Sequence, residues 1–174
     1  MTNKRELRFS APVEIRDDEA EVIRVEGYAA IYNERTSIAG MFEEMIAPGA
    51  LDGRLADDVK FLVNHRDLPL ARTTSGTLKL SLDARGLKMS AELDRSDPDV
   101  ARIVPKMKRG DLSKMSFAFE VESETWAETG DLARRPITNL ARLQDVAIVP
   151  EPAYPATEIA HAGLAAHRAA RDAP

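Results

Sequence analysis

The strand signal that decides the fold lies at residues 114–121, Lys114-Met115-Ser116-Phe117-Ala118-Phe119-Glu120-Val121. Its apolar residues alternate with other types, and this period of two predicts a β-strand. One face is apolar, whereas Ser116, Ala118 and Glu120 share the other. A serine beside a small alanine leaves room above its hydroxyl, as a nucleophile requires. Most serines in strands are only polar positions on a solvated face, so this stretch leaves both interpretations open.

Composition narrows the class of protein. The chain has 174 residues, 44% of them hydrophobic, which suits one domain with a sizeable core. Its net charge of -5 comes without a basic stripe, which argues against nucleic-acid binding. The chain has no cysteine, which excludes disulfides, thiolate nucleophiles and cysteine metal sites. Neither a signal peptide nor an apolar run of membrane-spanning length is present, so we expect a soluble intracellular protein.

Periodicity along the chain predicts mostly strands. Residues 78–82 and 87–93 alternate around a short turn and predict a hairpin. Ser96 or Asp97 caps a helix that opens at Pro98 and ends at Gly110. The other expected elements are strands at 5–13, 21–32, 59–63 and 142–149, a short helix at 50–56, a polar loop with strand ends at 122–136 and a tail helix at 157–170. Six or more strands with about two helices predict a mainly antiparallel barrel or curled sheet, without an internal domain boundary.

His65 stands where the buried strand at 59–63 runs out into a polar turn. A histidine there can be anchored by the backbone and still reach a cleft, although it can equally be a plain turn residue. The other two histidines, His161 and His167, lie in the tail helix without zinc-ligand spacing, and we interpret both as solvated surface. No phosphate loop, metal motif or Gly-x-Ser-x-Gly motif occurs, so no metal or cofactor is expected.

Asp145 repeats the pattern of the serine strand. It shares a face with Ala147, while Val146 and Ile148 point the other way. A partly buried carboxylate needs a partner, which is either a histidine N–H or an arginine such as Arg135 or Arg142. Ser116, His65 and Asp145 together make a chemically sensible nucleophile, base and orienting acid, but spacing alone cannot show that they converge.

Several motifs in order make the chain resemble the prohead maturation proteases of tailed phages, which are related to the herpesvirus assemblins. The resemblance covers roughly residues 20 to 160. The motifs are Val25-Glu26-Gly27-Tyr28-Ala29-Ala30, Glu44-Met45-Ile46-Ala47-Pro48-Gly49-Ala50-Leu51, Leu62-Val63-Asn64-His65-Arg66, the stretch 69–72, Ser75-Gly76-Thr77-Leu78, Arg85-Gly86-Leu87, Met115-Ser116-Phe117-Ala118-Phe119, Asp145-Val146-Ala147-Ile148-Val149 and Pro152-Ala153-Tyr154-Pro155.

The resemblance implies a serine endopeptidase that needs no cofactor. It implies that the enzyme is packed in the assembling prohead in the host bacterial cytoplasm, cleaves scaffolding segments from the major capsid protein precursor, and then cleaves itself. It also implies a mainly β fold with helices (α+β), whose antiparallel barrel-like core of about seven strands is surrounded by a few helices. We therefore expect a protease domain at 1–160 and a helical tail at 161–174. Neither nucleic acid nor a membrane is expected as a partner, and a homodimer is left open.

The resemblance places His65 and Ser116 on the family's histidine and serine. The third member is commonly an acid, often glutamate, whereas assemblins use a second histidine. Asp145 is the first choice for it and Glu151 the second. Ala71 stands where glycine is common, and Ala147 where serine is common. Backbone amides, or else Arg134 and Arg135, are candidates for the oxyanion site.

Two other functions fit the same residues. A catalytically inactive barrel could bind capsid or scaffold protein, and another hydrolase such as an esterase could use the same three side chains. A serine-directed phosphonate separates the first from an enzyme, because a pure binder is not modified at Ser116. Turnover of a peptide compared with a small ester separates the second from a protease.

Overall fold

The structure is a computed structural model, and it describes residues 4–16, 21–129, 132–150, 164–165 and 167–171. These residues form mostly strands. The strands are β1 (Arg5–Arg16), β2 (Val22–Ile31), β3 (Thr36–Ile38), β4 (Phe42–Ile46), β5 (Lys60–Val63), β6 (Arg66–Arg72), β7 (Leu78–Leu82), β8 (Gly86–Asp94), β9 (Lys114–Glu124), β10 (Ala127–Thr129) and β11 (Leu132–Val149). The helices are α1 (Pro98–Arg109), a 3₁₀ turn at Arg54–Ala56, and helical residues at 164–165 and 167–171.

The strands form one open mixed sheet in the order β3-β4-β11-β9-β1-β2-β8-β7. The long strand β11 organises it: β9 pairs antiparallel with β11 on one side. On the other side β4 pairs in parallel with the first half of β11, and β5 with the second half. β10 also pairs with β11, and β6 pairs with β5.

The α+β class agrees with the structure, but the barrel-like core of about seven antiparallel strands is not seen. The described residues form eleven strands in a sheet that stays open, and the pairings of β11 with β4 and β5 are parallel. The antiparallel expectation came from hairpin signals, which report only on strands that are neighbours in sequence. β4 and β5 pair instead with a strand far along the chain, which no local pattern reveals.

The hairpin of β7 and β8 is confirmed, with Leu82 opposite Leu87. Asp83 forms its turn, because its carboxylate accepts hydrogen bonds from the backbone N–H groups of Arg85 and Gly86 at 2.8 and 3.1 Å. Gly86 has φ 152°, and a Cβ built there would stand 2.1 Å from the carbonyl oxygen of Ala30. Only glycine fits so close an approach of two strands.

Helix α1 also begins and ends where the sequence predicts. The Asp97 side chain accepts a hydrogen bond from the N–H of Asp99 at 2.8 Å, and Pro98 occupies the first turn. Gly110 ends the helix with φ 86°. The face that packs into the core consists of Val100, Ile103, Val104 and Met107.

The stretch 122–136, predicted as a polar loop with strand ends, is mostly strand. β9 continues to Glu124, β10 follows, and β11 already begins at Leu132. Arg135 is buried in this stretch and pairs with the half-buried Glu124, whereas Glu122 and Glu128 are exposed. The short helix expected at 50–56 is a series of turns that ends in the 3₁₀ turn.

The tail expectation is tested only in part. Residues 164–165 and 167–171 are helical, and the rest of 157–170 lies outside the described residues, as does His161. The prediction that His167 is solvated surface is wrong. Its ring stacks on Trp126 with centroids 5.2 Å apart, and only 20% of its side chain is exposed. No helix in the described part of the chain is long and apolar enough to cross a membrane.

An ion network of five buried or half-buried side chains fills part of the interior: Glu6, Arg8, Glu44, Glu124 and Arg135. Nη1 of Arg135 donates to Glu6 at 2.9 Å and to Glu44 at 2.8 Å. Nη2 of Arg8 donates to the same two carboxylates at 2.6 and 2.7 Å. Burial would raise the pKa of Glu6, but the hydrogen bonds and charges of Arg135 and Arg8 together lower it below 4.5.

We predict that Arg135→Met lowers the free energy of unfolding by about 3–5 kcal/mol, because it removes one of the two cations that neutralise the three carboxylates of the network. Arg134→Met is the matched control, since Arg134 is 34% exposed and pairs only peripherally with Glu43. It should cost less than about 1 kcal/mol. Urea unfolding of both variants at neutral pH measures the difference, and equal losses would contradict the buried role of Arg135.

Because the folded-state pKa of Glu6 is lowered, the contribution of Glu6 to stability is present above about pH 4.5 and is lost as the pH falls.

Candidate active site

Ser116 and Asp145 meet on one face of the central sheet. In the pairing of β9 with β11, Ser116 lies opposite Ala147 and Ala118 lies opposite Asp145. Partners across a sheet share a face, so the two small alanines alternate with the two functional side chains. Phe117 and Phe119 point to the opposite face and pack in the main core. The alternation that the sequence indicated in both strands is therefore the alternation of the structure.

His65 reaches the same face from the end of β5. That strand pairs with β11 in parallel from Lys60 beside Asp145 to Val63 beside Ile148. Asn64 and His65 then both adopt left-handed backbone conformations, with φ 51° and 58°. The N–H of Asn64 donates to the carbonyl of Ile148 at 3.0 Å and so keeps this turn attached to β11. The reversal starts β6 and brings the imidazole next to Asp145.

The three side chains form a continuous chain of hydrogen bonds. Nδ1 of His65 lies 2.5 Å from Oδ1 of Asp145, and Nε2 lies 2.6 Å from Oγ of Ser116. The side chains of His65 and Asp145 are each only 7% exposed, and Ser116 has no exposed surface. A substrate carbonyl therefore reaches the hydroxyl only if the site opens.

The hydroxyl of Ser116 has a choice of two acceptors. Besides Nε2 of His65, it can donate to the backbone carbonyl of Arg8 at 2.8 Å. With a neutral imidazole that carries its proton on Nδ1, the hydroxyl donates to Nε2, which is the arrangement for attack. With a doubly protonated imidazole, Nε2–H donates to Oγ and the hydroxyl turns to Arg8. The same distances thus fit two protonation states, one in which the hydroxyl donates to His65 and one in which it donates to the Arg8 carbonyl.

The partner of Asp145 among the arginines is Arg5. Nη2 of Arg5 donates to Oδ2 of Asp145 at 2.6 Å, so each carboxylate oxygen has its own partner. The sequence suggested Arg135 or Arg142 as an arginine partner of the Asp145 carboxylate, and neither of them pairs with it. The alternation of β1 shows that Arg5, Leu7 and Phe9 share a face. It could not show that β1 pairs with β9, and sequence reasoning therefore missed both Arg5 and the Arg8 carbonyl.

The arginine candidates for the oxyanion site are wrong. The Arg135 guanidinium is held by Glu6, Glu44 and Glu124 on the other face of the sheet, and Arg134 donates to Glu43 at 3.3 Å. Glu151, the second choice for the acid, lies outside the described residues. Among the residues that the structure describes, no group of three or more His, Asp or Glu side chains could hold a metal ion.

A groove of about 540 Å³ opens beside His65. Its lining is mixed: one part is apolar and includes Leu7, Phe9, Val63 and Val149, and the other includes the polar side chains of Asn64, Arg66 and Asp67. Phe9 also packs against a small cluster of Leu62, Ala147 and Val149 on the face of the three functional residues. The groove therefore supplies a surface for an extended chain next to the imidazole.

Comparison with protein families decides the class to which this site belongs. The family model described as caudovirus prohead serine protease matches residues 11–170. The chain belongs to this family. It is therefore a serine peptidase, and the family supports a role in capsid maturation. Searches among curated proteins and among solved structures gave no match.

The matched range includes His65, Ser116 and Asp145 but leaves out the first half of β1. Family membership alone does not say which side chains of this prohead protease are catalytic. That assignment depends on the hydrogen bonds described above.

We predict that the backbone at Asn64 sets the position of the imidazole. Asn64→Gly should keep nearly full activity, because glycine adopts φ 51° freely. Asn64→Val should cost at least about 1–2 kcal/mol of stability, because a β-branched residue is strained there, and should lower kcat. Peptidase kinetics and thermal unfolding of the two variants check this. Full activity in Asn64→Val would show that the turn tolerates another conformation.

Proposed function

We propose that His65, Ser116 and Asp145 are the catalytic triad of this prohead protease. The observation that carries the proposal is the unbroken chain from Oδ1 of Asp145 through both nitrogens of His65 to Oγ of Ser116. Ser116 and Asp145 come from the adjacent strands β9 and β11, His65 comes from the turn between β5 and β6, and the three meet on one face of the sheet. A surface serine in a polar strand position would have neither this burial nor an oriented imidazole.

The geometry supports acylation and deacylation of a peptide. Ser116 Oγ attacks the scissile carbonyl carbon while its proton passes to Nε2 of His65, and the carbonyl π electrons move to oxygen. When the carbonyl re-forms, the C–N bond breaks and the leaving amine takes the proton from Nε2. Water then attacks the acyl-enzyme, gives a proton to His65 and releases the acid, and Ser116 regains its proton. Asp145 holds Nδ1–H throughout and stabilises the imidazolium.

The substrate in this proposal is the capsid protein precursor with its scaffolding segment, cleaved inside the assembling prohead in the host bacterium. Cleavage of the protease itself belongs to the same proposal. Family membership supports these assignments because it indicates capsid maturation. The relation to herpesvirus assemblins is a further part of the proposal. It rests on the resemblance of motifs, and the two differ at the third triad member, where this chain has Asp145.

We predict that Ser116→Ala lowers kcat roughly a million-fold, to background, without loss of stability, because only the reacting oxygen is removed. Wild type and variant are incubated with the cognate capsid precursor, and cleavage is followed by gel and mass spectrometry. Ser81→Ala, a change at an exposed strand serine, is the control and should match wild type.

A serine-directed phosphonate supplies an independent test of the same residue. Wild type should be labelled at Ser116, and the variant should not. Equal cleavage by wild type and Ser116→Ala would exclude Ser116 as the nucleophile. Wild type that neither cleaves nor is labelled would instead support a non-catalytic binding module. Faster turnover of small esters than of peptides would indicate an esterase.

We predict that the groove beside His65 favours an apolar substrate side chain near the scissile bond. Leu7→Glu places a charge in the apolar part of this lining and should reduce kcat/KM for such peptides roughly 10–100-fold. Leu55→Glu, at a 42% exposed leucine on the 3₁₀ turn, is the control and should have little effect. Kinetics on a peptide series that varies one position at a time measures the preference. A series without apolar preference, or one unaffected by Leu7→Glu, would contradict it.

A further inference from the structure

We propose that Arg5 is a positioning residue of the catalytic site and acts through Asp145. This inference rests on the triad proposed above and extends it to the first half of β1, which the family match does not include. Residues 5–9 precede residue 11, where that match begins. The same short stretch contributes two contacts: the Arg5 guanidinium to Asp145, and the Arg8 carbonyl to the Ser116 hydroxyl.

Strand pairing brings Arg5 to this place. In the register of β1 with β9, Phe9 lies opposite Ser116, Leu7 opposite Ala118 and Arg5 opposite Glu120. Arg5, Leu7 and Phe9 therefore share the face of Ser116, and the guanidinium of Arg5 spans β9 to reach Asp145 on β11. The even-numbered Arg8 points to the opposite face, into the buried ion network. Pairing in this register thus anchors β1 on both faces of the sheet.

The contact should orient the carboxylate of Asp145. Arg5 holds Oδ2 at 2.6 Å, so that Oδ1 faces Nδ1 of His65 at 2.5 Å. Without Arg5 the nearly buried carboxylate would lose the partner of one oxygen, and the group could turn about its χ2 angle. A turned carboxylate no longer holds the imidazole with Nε2 toward Ser116. Loss of a hydrogen-bond partner that orients a metal ligand typically lowers activity or metal affinity 10- to 100-fold, and we expect a loss of activity in this range when Asp145 loses Arg5.

A second effect works in the opposite direction. The positive charge of Arg5 opposes formation of the imidazolium on His65 and so raises the barrier to proton transfer. The Arg5 side chain is 42% exposed, so solvent screens its charge, whereas its hydrogen bond to Asp145 remains directional. We therefore expect orientation to outweigh charge. Among the residues that the structure describes, the other charged side chains on or beside this face include Lys60, Arg66, Asp67, Lys114, Glu120 and Arg142, and substitution of Arg5 leaves them in place.

The test compares Arg5→Met, Arg5→Lys and Arg24→Met with wild type in the full chain. Methionine keeps much of the apolar stem of arginine without its charge or donors. Lysine keeps the charge and one donor group. Arg24 is the matched control, a 54% exposed strand arginine that pairs with Glu92 at 3.7 Å.

We predict that Arg5→Met lowers kcat 10- to 100-fold with a change in KM below about three-fold, and that Arg5→Lys recovers part of the loss. Arg24→Met should match wild type. In Arg5→Met the acid limb of the pH profile should move to higher pH, because removal of the cation favours the protonated imidazole. In Arg5→Lys it should stay near its wild-type position.

A readout that does not depend on turnover separates this inference from the triad itself. The Nδ1 proton of His65, bound to Asp145, should give a far-downfield NMR signal, assigned by its loss in His65→Gln. This signal should shift or broaden in Arg5→Met and persist in Arg24→Met.

The outcomes distinguish the two proposals. An unchanged signal and unchanged kcat in Arg5→Met would overturn the role of Arg5 and leave the triad intact. Equal losses in Arg5→Met and Arg5→Lys, with unfolding temperatures lowered in parallel and an unchanged pH profile, would also overturn it, since Arg5 would then only dock β1. Wild-type activity that survives Ser116→Ala would overturn the triad, and with it the inference about Arg5.

Discussion

The pairing of β11 with its neighbours is the constraint on which the site depends. β11 pairs with β9 on one side and with β5 on the other. This pairing places Asp145 of β11 between Ser116 of β9 and His65, which lies in the turn after β5. A slip of one residue in any of these pairings would turn the functional side chains into the core. Register is well specified here because the opposite face buries Phe117, Phe119, Val146 and Ile148. The apolar core thus determines which face receives the serine and the acid.

The two faces of this sheet balance their buried charges in different ways. On one face, two arginines and three glutamates neutralise most of one another's charge in a buried network. On the other, a single carboxylate is shared between an arginine and an imidazole. Both arrangements use β1, whose Arg8 and Arg5 point to opposite faces. Removing a strand end that contributes to both would disturb stability and catalysis together, which is why substitution of single side chains is the more informative test.

Sequence reasoning predicted most of the local elements, and it selected three residues that the structure brings into hydrogen-bond contact, since their strands and turn are marked by patterns within a few residues. Alternation identified the faces of β9 and β11, and the turn residues identified the β7–β8 hairpin and the ends of α1. It failed where distant segments meet. The polar composition of residues 122–136 suggested a loop with strand ends, because no local pattern could show that Arg135 pairs with Glu6, Glu44 and Glu124 inside the fold. The parallel pairing of β4 and β5 with β11 was hidden for the same reason, and so was the contact of Arg5 with Asp145.

Because Ser116 is buried, the backbone of β1 influences the direction in which its hydroxyl points. The hydroxyl has only one proton to donate, and the Arg8 carbonyl competes for it with Nε2 of His65. Protonation of the imidazole removes one of the two acceptors, so the hydroxyl then points to Arg8 and away from any attack. The fixed backbone of β1 stabilises that unreactive state, because its carbonyl satisfies a buried hydroxyl that would otherwise lack an acceptor. The strand that brings Arg5 to Asp145 therefore supports both the reactive and the resting arrangement of the same three side chains.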